Sequence, residues 1–330
     1  MKKSPSPLLL PLLAAALMLV GCGQKSEAPA SGSAAAPADK KKLTVGLVQT
    51  GAEGAWRTAN SNSMRDEAAK RGITLKLSDG QSKQENQLAA VRSFIAQGVD
   101  AIVIAPIVET GWDPVLTDAK KAKIPVVIMD RMVKVADQSL YVAFVGSDFA
   151  AEGRMAADWL AKNAGGRTKI VELQGEPGSS AANDRQTAFA AALKDHPEFK
   201  IIDSQTGNFR QAEGKQVMES LLKKHGKEIQ IVYSHNDDMA LGAIQAIEEA
   251  GFKPGKDILI VSVDAIEAAL KAIVAGKMNV SVECNPLFGP KIYDTVEKIL
   301  KGESVPKSSA NKDQVFDATN AAAALPTRKY

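Results

Sequence analysis

Cysteine is nearly absent: the 330-residue chain holds two, Cys22 and Cys284. A disulfide framework is therefore excluded as the source of stability, and the fold must stand on its core. Aromatics are scarce too, at 5%, while 45% of the residues are hydrophobic. Alanine and branched aliphatics must fill the interior, which suits layered α/β packing better than an all-β sandwich. Basic blocks are missing. The formal charge is +3, and without Lys2 and Lys3, which lie in a removable leader, it is +1, from 39 basic and 38 acidic side chains. That balance excludes nucleic acid as a partner. His196, His225 and His235 show no metal-ligand spacing, so no metal is expected. Gly46, Gly51 and Gly54 follow an apolar run but do not spell G-x-G-x-x-G, and no Gly-Lys-Ser/Thr follows. No nucleotide or other cofactor is expected, and no nucleophile–base pair points to an enzyme.

What is present begins with an address. Residues 1–3 are a short positive start, 8–20 are apolar apart from one proline, and Leu19-Val20-Gly21-Cys22 follows. This is a secretory signal, too short for a comfortable membrane span. Its ending resembles the lipobox of bacterial lipoproteins, which implies cleavage before Cys22 and lipidation there, hence a membrane anchor. Residues 22–42 are mostly Ala, Pro, Ser, Gly and Lys, too poor in apolar pattern to offset ordering entropy. They read as a flexible tether.

From residue 43 onward, short apolar runs alternate with amphipathic stretches. Strands are predicted at 43–48, 73–77, 101–105, 124–129, 141–145, 169–173, 201–204, 229–233, 258–263 and 280–283. Helices such as 182–194 and 215–224 separate them. Near-continuous Val/Ile/Leu strands between helices imply parallel sheets covered on both faces. So many strands exceed one doubly wound sheet, so two α/β lobes are predicted. Ligands of open α/β sheets gather at the carboxyl ends of the strands. The residues there are rich in Asp, Asn, Arg, Glu and Gln, with Trp56 and Phe209 as aromatics. Carboxylates accept hydroxyl protons, guanidiniums donate a planar pair, and rings cover apolar C–H faces. That mix suits a sugar.

Asp130-Arg131 ending one strand, and Asn236-Asp237-Asp238-Met239-Ala240-Leu241-Gly242-Ala243 after another, resemble the ribose-type periplasmic sugar-binding proteins of ABC importers. The match tightens toward the galactofuranose-binding members over Glu-Gly-Ala-Trp-Arg at 53–57, Asp-Gly-Gln-Ser-Lys-Gln-Glu-Asn-Gln at 79–87, the run at 91–102 and Gly-Trp-Asp-Pro-Val-Leu at 111–116. Val-Glu-Leu-Gln-Gly at 171–175 and Tyr-Ser-His-Asn-Asp-Asp at 233–238 agree. The resemblance implies two Rossmann-like lobes joined by a three-segment hinge, a type I periplasmic binding protein. It places an N-terminal lobe at 43–146 and 284–307, and a C-terminal lobe at 147–283 and 308–330. It implies that Trp56 and Phe209 flank the sugar and that Arg57, Arg131 and Arg185 donate to it. Asp130, Asp264, Asn236 and Glu283 would accept from its hydroxyls, with Glu53 in the first loop and Asp148 orienting neighbours. Asp237 and Asp238 read as helix N-terminal acids, and Cys284 as a small buried residue.

Ala105 stands where ribose binders commonly carry Asn, and Glu283 where they often carry Gln. Both argue against ribose, and the runs at 53–57, 79–87, 91–102 and 111–116 imply galactofuranose or a related sugar. The implied partners are a monosaccharide, the permease and ATPase subunits of an ABC importer, and a membrane through the N-terminal lipid, with the chain a monomer in the cell envelope. A sugar-sensing receptor component is the alternative.

Overall fold

The structure is a computed structural model describing residues Lys42–Tyr330; the expected leader, Cys22 and the tether lie outside the described residues. The chain first lays down β1 (Thr44–Gln49), α1 (Ala55–Arg71), β2 (Thr74–Asp79), α2 (Gln84–Ala96), β3 (Ala101–Ile104), α3 (Asp113–Lys121), β4 (Val126–Asp130) and β5 (Ala143–Gly146). It continues through α4 (Phe149–Asn163), β6 (Lys169–Gln174), α5 (Ser180–Ala192), β7 (Lys200–Thr206), α6 (Gln211–His225), β8 (Ile231–Ser234), α7 (Asp237–Glu249), β9 (Leu259–Asp264), α8 (Glu267–Val274) and β10 (Val280–Glu283). It ends with α9 (Gly289–Leu300), β11 (Ser308–Ala310), β12 (Val315–Asp317) and α10 (Ala321–Ala324).

Two six-stranded sheets result, ordered β11-β5-β4-β3-β1-β2 and β12-β10-β9-β8-β6-β7. Each is a 2-1-3-4-5 doubly wound core with one late edge strand. All neighbours pair in parallel except β10 with β12. Alternation along the strands explains why both faces need helices. In β1, β3 and β4 the residues Val45, Leu47, Val103, Val127 and Met129 join one core. Val48, Ile102, Ile104 and Ile128 turn into a second core beneath α2 and α3. Gly46 is required on that second face, since a Cβ there would lie 2.4 Å from the Phe94 ring.

The chain crosses between sheets three times, after β5, after β10 and between β11 and β12. The last crossing corrects the sequence expectation. Residues 308–310 stay with the first sheet, pairing with Phe144–Gly146, so the return falls after Ala310 rather than before it. Ser-Ser-Ala and Val-Phe-Asp are three residues each, too short to carry strand periodicity, which hid both edge strands. Among the described residues, no helix is long and apolar enough to cross a membrane.

Candidate functional site

The carboxyl ends of both sheets converge on one cleft, with about 330 Å³ of space between its atoms, part of it open to solvent. From the first lobe come Glu53 and Gly54 before α1, Trp56 and Arg57 in its first turn, and Asp130-Arg131 at the end of β4. The second lobe contributes Phe149, Ala181 and Arg185 from α4 and α5, Phe209 after β7, Asn236 and Asp238 around the start of α7, and Asp264 ending β9. Cys284, in the second crossing, completes the wall.

Several of these positions are held in costly backbone. Asp130, Phe209 and Asp264 have φ of 66°, 60° and 123°. Non-glycine residues rarely occupy that region, at about 1–3 kcal/mol each, and they do so where the surroundings impose it. Gly175 supplies the room for Phe209, because a Cβ there would fall 1.9 Å from the ring.

The first lobe's charges form a closed network. Arg57 meets Asp130 at 2.6 Å and Glu53 at 3.1 Å. Arg131 donates to both Glu53 oxygens, at 2.9 and 2.8 Å. Burial alone would raise the Glu53 carboxyl, but Arg131 and Arg57 outweigh it and hold it below its ordinary value. Burial would likewise lower Arg57, and Asp130 and Glu53 more than compensate. Two cations and two anions cancel.

The second lobe centres on Arg185. Its Nε meets Glu152 at 2.8 Å, Nη1 donates to the His235 carbonyl at 2.6 Å, and Nη2 faces Asp264 at 3.6 Å. One guanidinium thus stands between two buried carboxyls. Burial raises Glu152 to about 8 and lifts Asp264 well above the usual range, with Arg185 opposing both. Each arginine also covers an aromatic ring: Arg57 lies over Trp56 at 4.7 Å, Arg131 over Phe209 at 4.8 Å and Arg185 over Phe149 at 5.1 Å.

Two further groups hold the frame. Trp56 Nε1 donates to the Cys284 carbonyl at 2.5 Å, tying α1 to the second crossing. Asn236 caps α7 by accepting from the Met239 amide at 3.1 Å, and donates to the Phe209 carbonyl at 3.1 Å.

The structure brings together nine of the ten expected site residues. Glu283 is the exception. Its side chain turns away from the cleft to Arg328 Nη1 and the Tyr330 hydroxyl, each at 2.8 Å. The next residue, Cys284, takes the place in the cleft wall, and burial raises its thiol. Asp148 caps α4 by accepting from the Ala151 amide at 2.8 Å and is exposed. Sequence reasoning missed Gly54, Phe149, Ala181 and Asp238 as lining residues. Asp237 does serve structure, accepting from Ser281 Oγ and the Ile266 amide.

Contacts cross the cleft at its lips. Glu109 accepts from Asn183 Nδ2 at 2.7 Å, the Met132 amide donates to Ser180 Oγ at 2.8 Å, and Arg210 donates to Ser82 Oγ. The lobes are closed on each other.

A family model described as periplasmic binding protein domain matches residues 45–304. The galactofuranose-binding protein YtfQ of Escherichia coli (strain K12) is 53% identical over 268 residues, spanning 80% of this chain and 84% of that protein. Among solved structures, the periplasmic binding protein component of the arabinose ABC transporter from Shewanella sp. ANA-3, bound to alpha and beta-L-arabinofuranose, is 51% identical. Its TM-score is 0.84, with 87% of this chain and 96% of that one covered. A Mycobacterium smegmatis protein in complex with beta-D-fucofuranose is 48% identical, with a TM-score of 0.84 and coverage of 86% and 94%.

Proposed function

Because this chain belongs to the periplasmic binding protein family, we propose that it captures a neutral monosaccharide in furanose form, galactofuranose or a near relative, by closing its lobes. It is a sugar-binding protein of the ABC-importer type. In the proposed role it works outside the cytoplasm, tethered through a lipid on Cys22, and hands the closed, loaded form to the permease and ATPase of an importer. It acts by binding, without chemistry on the sugar.

One observation carries the reading: both lobes line a single cleft in which Asp130 and Glu53 match Arg57 and Arg131, while Arg185 stands between the Glu152 and Asp264 carboxyls. Beside Arg57 and Arg131 a phosphate or uronate would add an uncompensated buried charge to a network that is already balanced. Hydroxyls, by contrast, can accept from Arg57, Arg131 and Arg185 and donate to Asp130 and Asp264. Trp56 and Phe209 supply apolar faces. Ring form is supported by three relatives near 50% identity whose names carry furanoses. Closure would shift an open–closed equilibrium by the sugar's differential contacts.

Calorimetry with D-galactose, L-arabinose, D-ribose and D-galacturonate tests the site, and the spectrum of bound carbon-13-labelled D-galactose reports the ring form. Galactose or arabinose should bind as furanose, and galacturonate should not. Binding by none of the neutral sugars would overturn the reading. Palmitate labelling of the chain, lost in Cys22→Ser, tests the anchor.

A further inference from the structure

We infer that Asp238 and Gly54 form a latch between the lobes: the Asp238 carboxyl seals the open start of α1 only when the cleft is shut. The inference rests on the reading that capture works by lobe closure. Helix α1 begins poorly. Its cap position is Gly54, which has no side chain to accept a bond, and its first turn holds no acid. The first amides of such a helix lack partners within it. The missing acceptor comes from the other lobe. The Ala55 amide points at Asp238 Oδ2 and Oδ1, at 3.2 and 3.4 Å, across 183 residues of sequence.

Asp238 sits in the first turn of α7, which Asn236 already caps. Its carboxyl is therefore free to serve a second helix, and two helix N-termini meet on one acid. The fit leaves no slack. A Cβ at position 54 would lie 2.1 Å from Asp238 Oδ2 and 2.4 Å from Cγ. Glycine at 54 is what lets the lobes meet, and the acid at 238 holds them there. With the lobes apart, both groups would face water and the bond would be lost.

The latch can be read without knowing the sugar. Hydrogen exchange at the Ala55 amide is compared in the full chain and in Asp238→Ala, sugar-free and in saturating D-galactose. Asp238→Leu, close in shape and without an acceptor, serves the same comparison should the alanine variant fail to fold. Loss of protection by about tenfold or more in the variant supports the latch. Equal exchange in both conditions overturns it. Galactose affinity then closes a double-mutant cycle. Gly54→Ala should weaken binding by about tenfold or more in the native background, but by less than about threefold on top of Asp238→Ala. An equal loss in both backgrounds overturns the steric half of the inference. If wild type binds none of the sugars, the functional reading fails while the exchange comparison still decides the latch.

Discussion

The guanidinium of Arg131, on the first lobe, lies 4.8 Å from the ring centre of Phe209, on the second. The same group donates twice to Glu53 in its own lobe. One side chain is thus neutralised on one side of the cleft and covers an aromatic face on the other. Replacing Phe209 by leucine keeps apolar bulk and removes the flat face. Galactose affinity should fall about tenfold, or ~1.4 kcal/mol, within the range of a desolvated cation–π contact with stacking added. An unchanged Kd by calorimetry would take Phe209 out of the site.

Asp130 joins charge balance to ligand contact. It holds Arg57 at 2.6 Å and has φ of 66°. Asparagine tolerates that backbone and keeps one acceptor, so Asp130→Asn should fold yet lose the sugar-induced rise in melting temperature. Asp130→Ala strips a buried cation of one partner and should also cost about 3–5 kcal/mol of stability. Thermal melts with and without galactose separate the two effects. A full sugar shift in the Asn variant would show that Asp130 does not touch the ligand.

Glu283 divides the expectation from the structure. Read as a ligand group, its loss should abolish binding. Paired with Arg328 and Tyr330, it instead fastens residues 328–330 to the end of β10, beside the second crossing. Glu283→Ala should cost about 3–5 kcal/mol in denaturant unfolding, as breaking a buried ion pair does. Galactose affinity should change less than about fivefold. A loss of affinity without loss of stability would restore Glu283 to the site.

Those two outcomes mark where sequence reasoning stops. The strands that build the cleft are near-continuous Val/Ile runs such as Ala101–Ile104 and Leu259–Asp264, and such runs announce themselves. The rule that ligand groups follow strand ends then locates Asp130, Asn236 and Asp264 without coordinates. β11 and β12 are three residues each, too short for any period. Glu283 ends a strand as Asp264 does, but its partners arrive 45 and 47 residues later, and no local pattern shows them. No sequence pattern singles out Phe149, which lines the cleft, or Glu152, which is fully buried against Arg185. Asp238 reads as an ordinary first-turn acid because the helix it serves begins 183 residues earlier.

The buried acids also predict a pH profile. Burial raises Glu152 to about 8, Asp237 to about 7, and Asp238 and Asp313 to about 6. Unfolded, such groups titrate near 4. Folded, each holds its proton more tightly, so its contribution is complete below about pH 4 and is lost progressively as pH rises from there through the folded values. His235 acts in the other direction. Burial lowers its pKa below the ordinary 6.5, with Glu172 opposing. The Gly175 amide donates to its Nδ1, which fits a neutral ring. Its contribution is present above 6.5 and lost as pH falls below that value. Four raised acids outweigh one histidine, so the sugar-free melting temperature should be highest at about pH 4–5 and decline toward about pH 8.5. Glu152→Gln keeps an acceptor for Arg185 Nε and removes one of the raised acids, so it should flatten the alkaline slope. An equal slope in wild type and variant would show that Glu152 stays ionised beside Arg185, with the proton held elsewhere in the cleft.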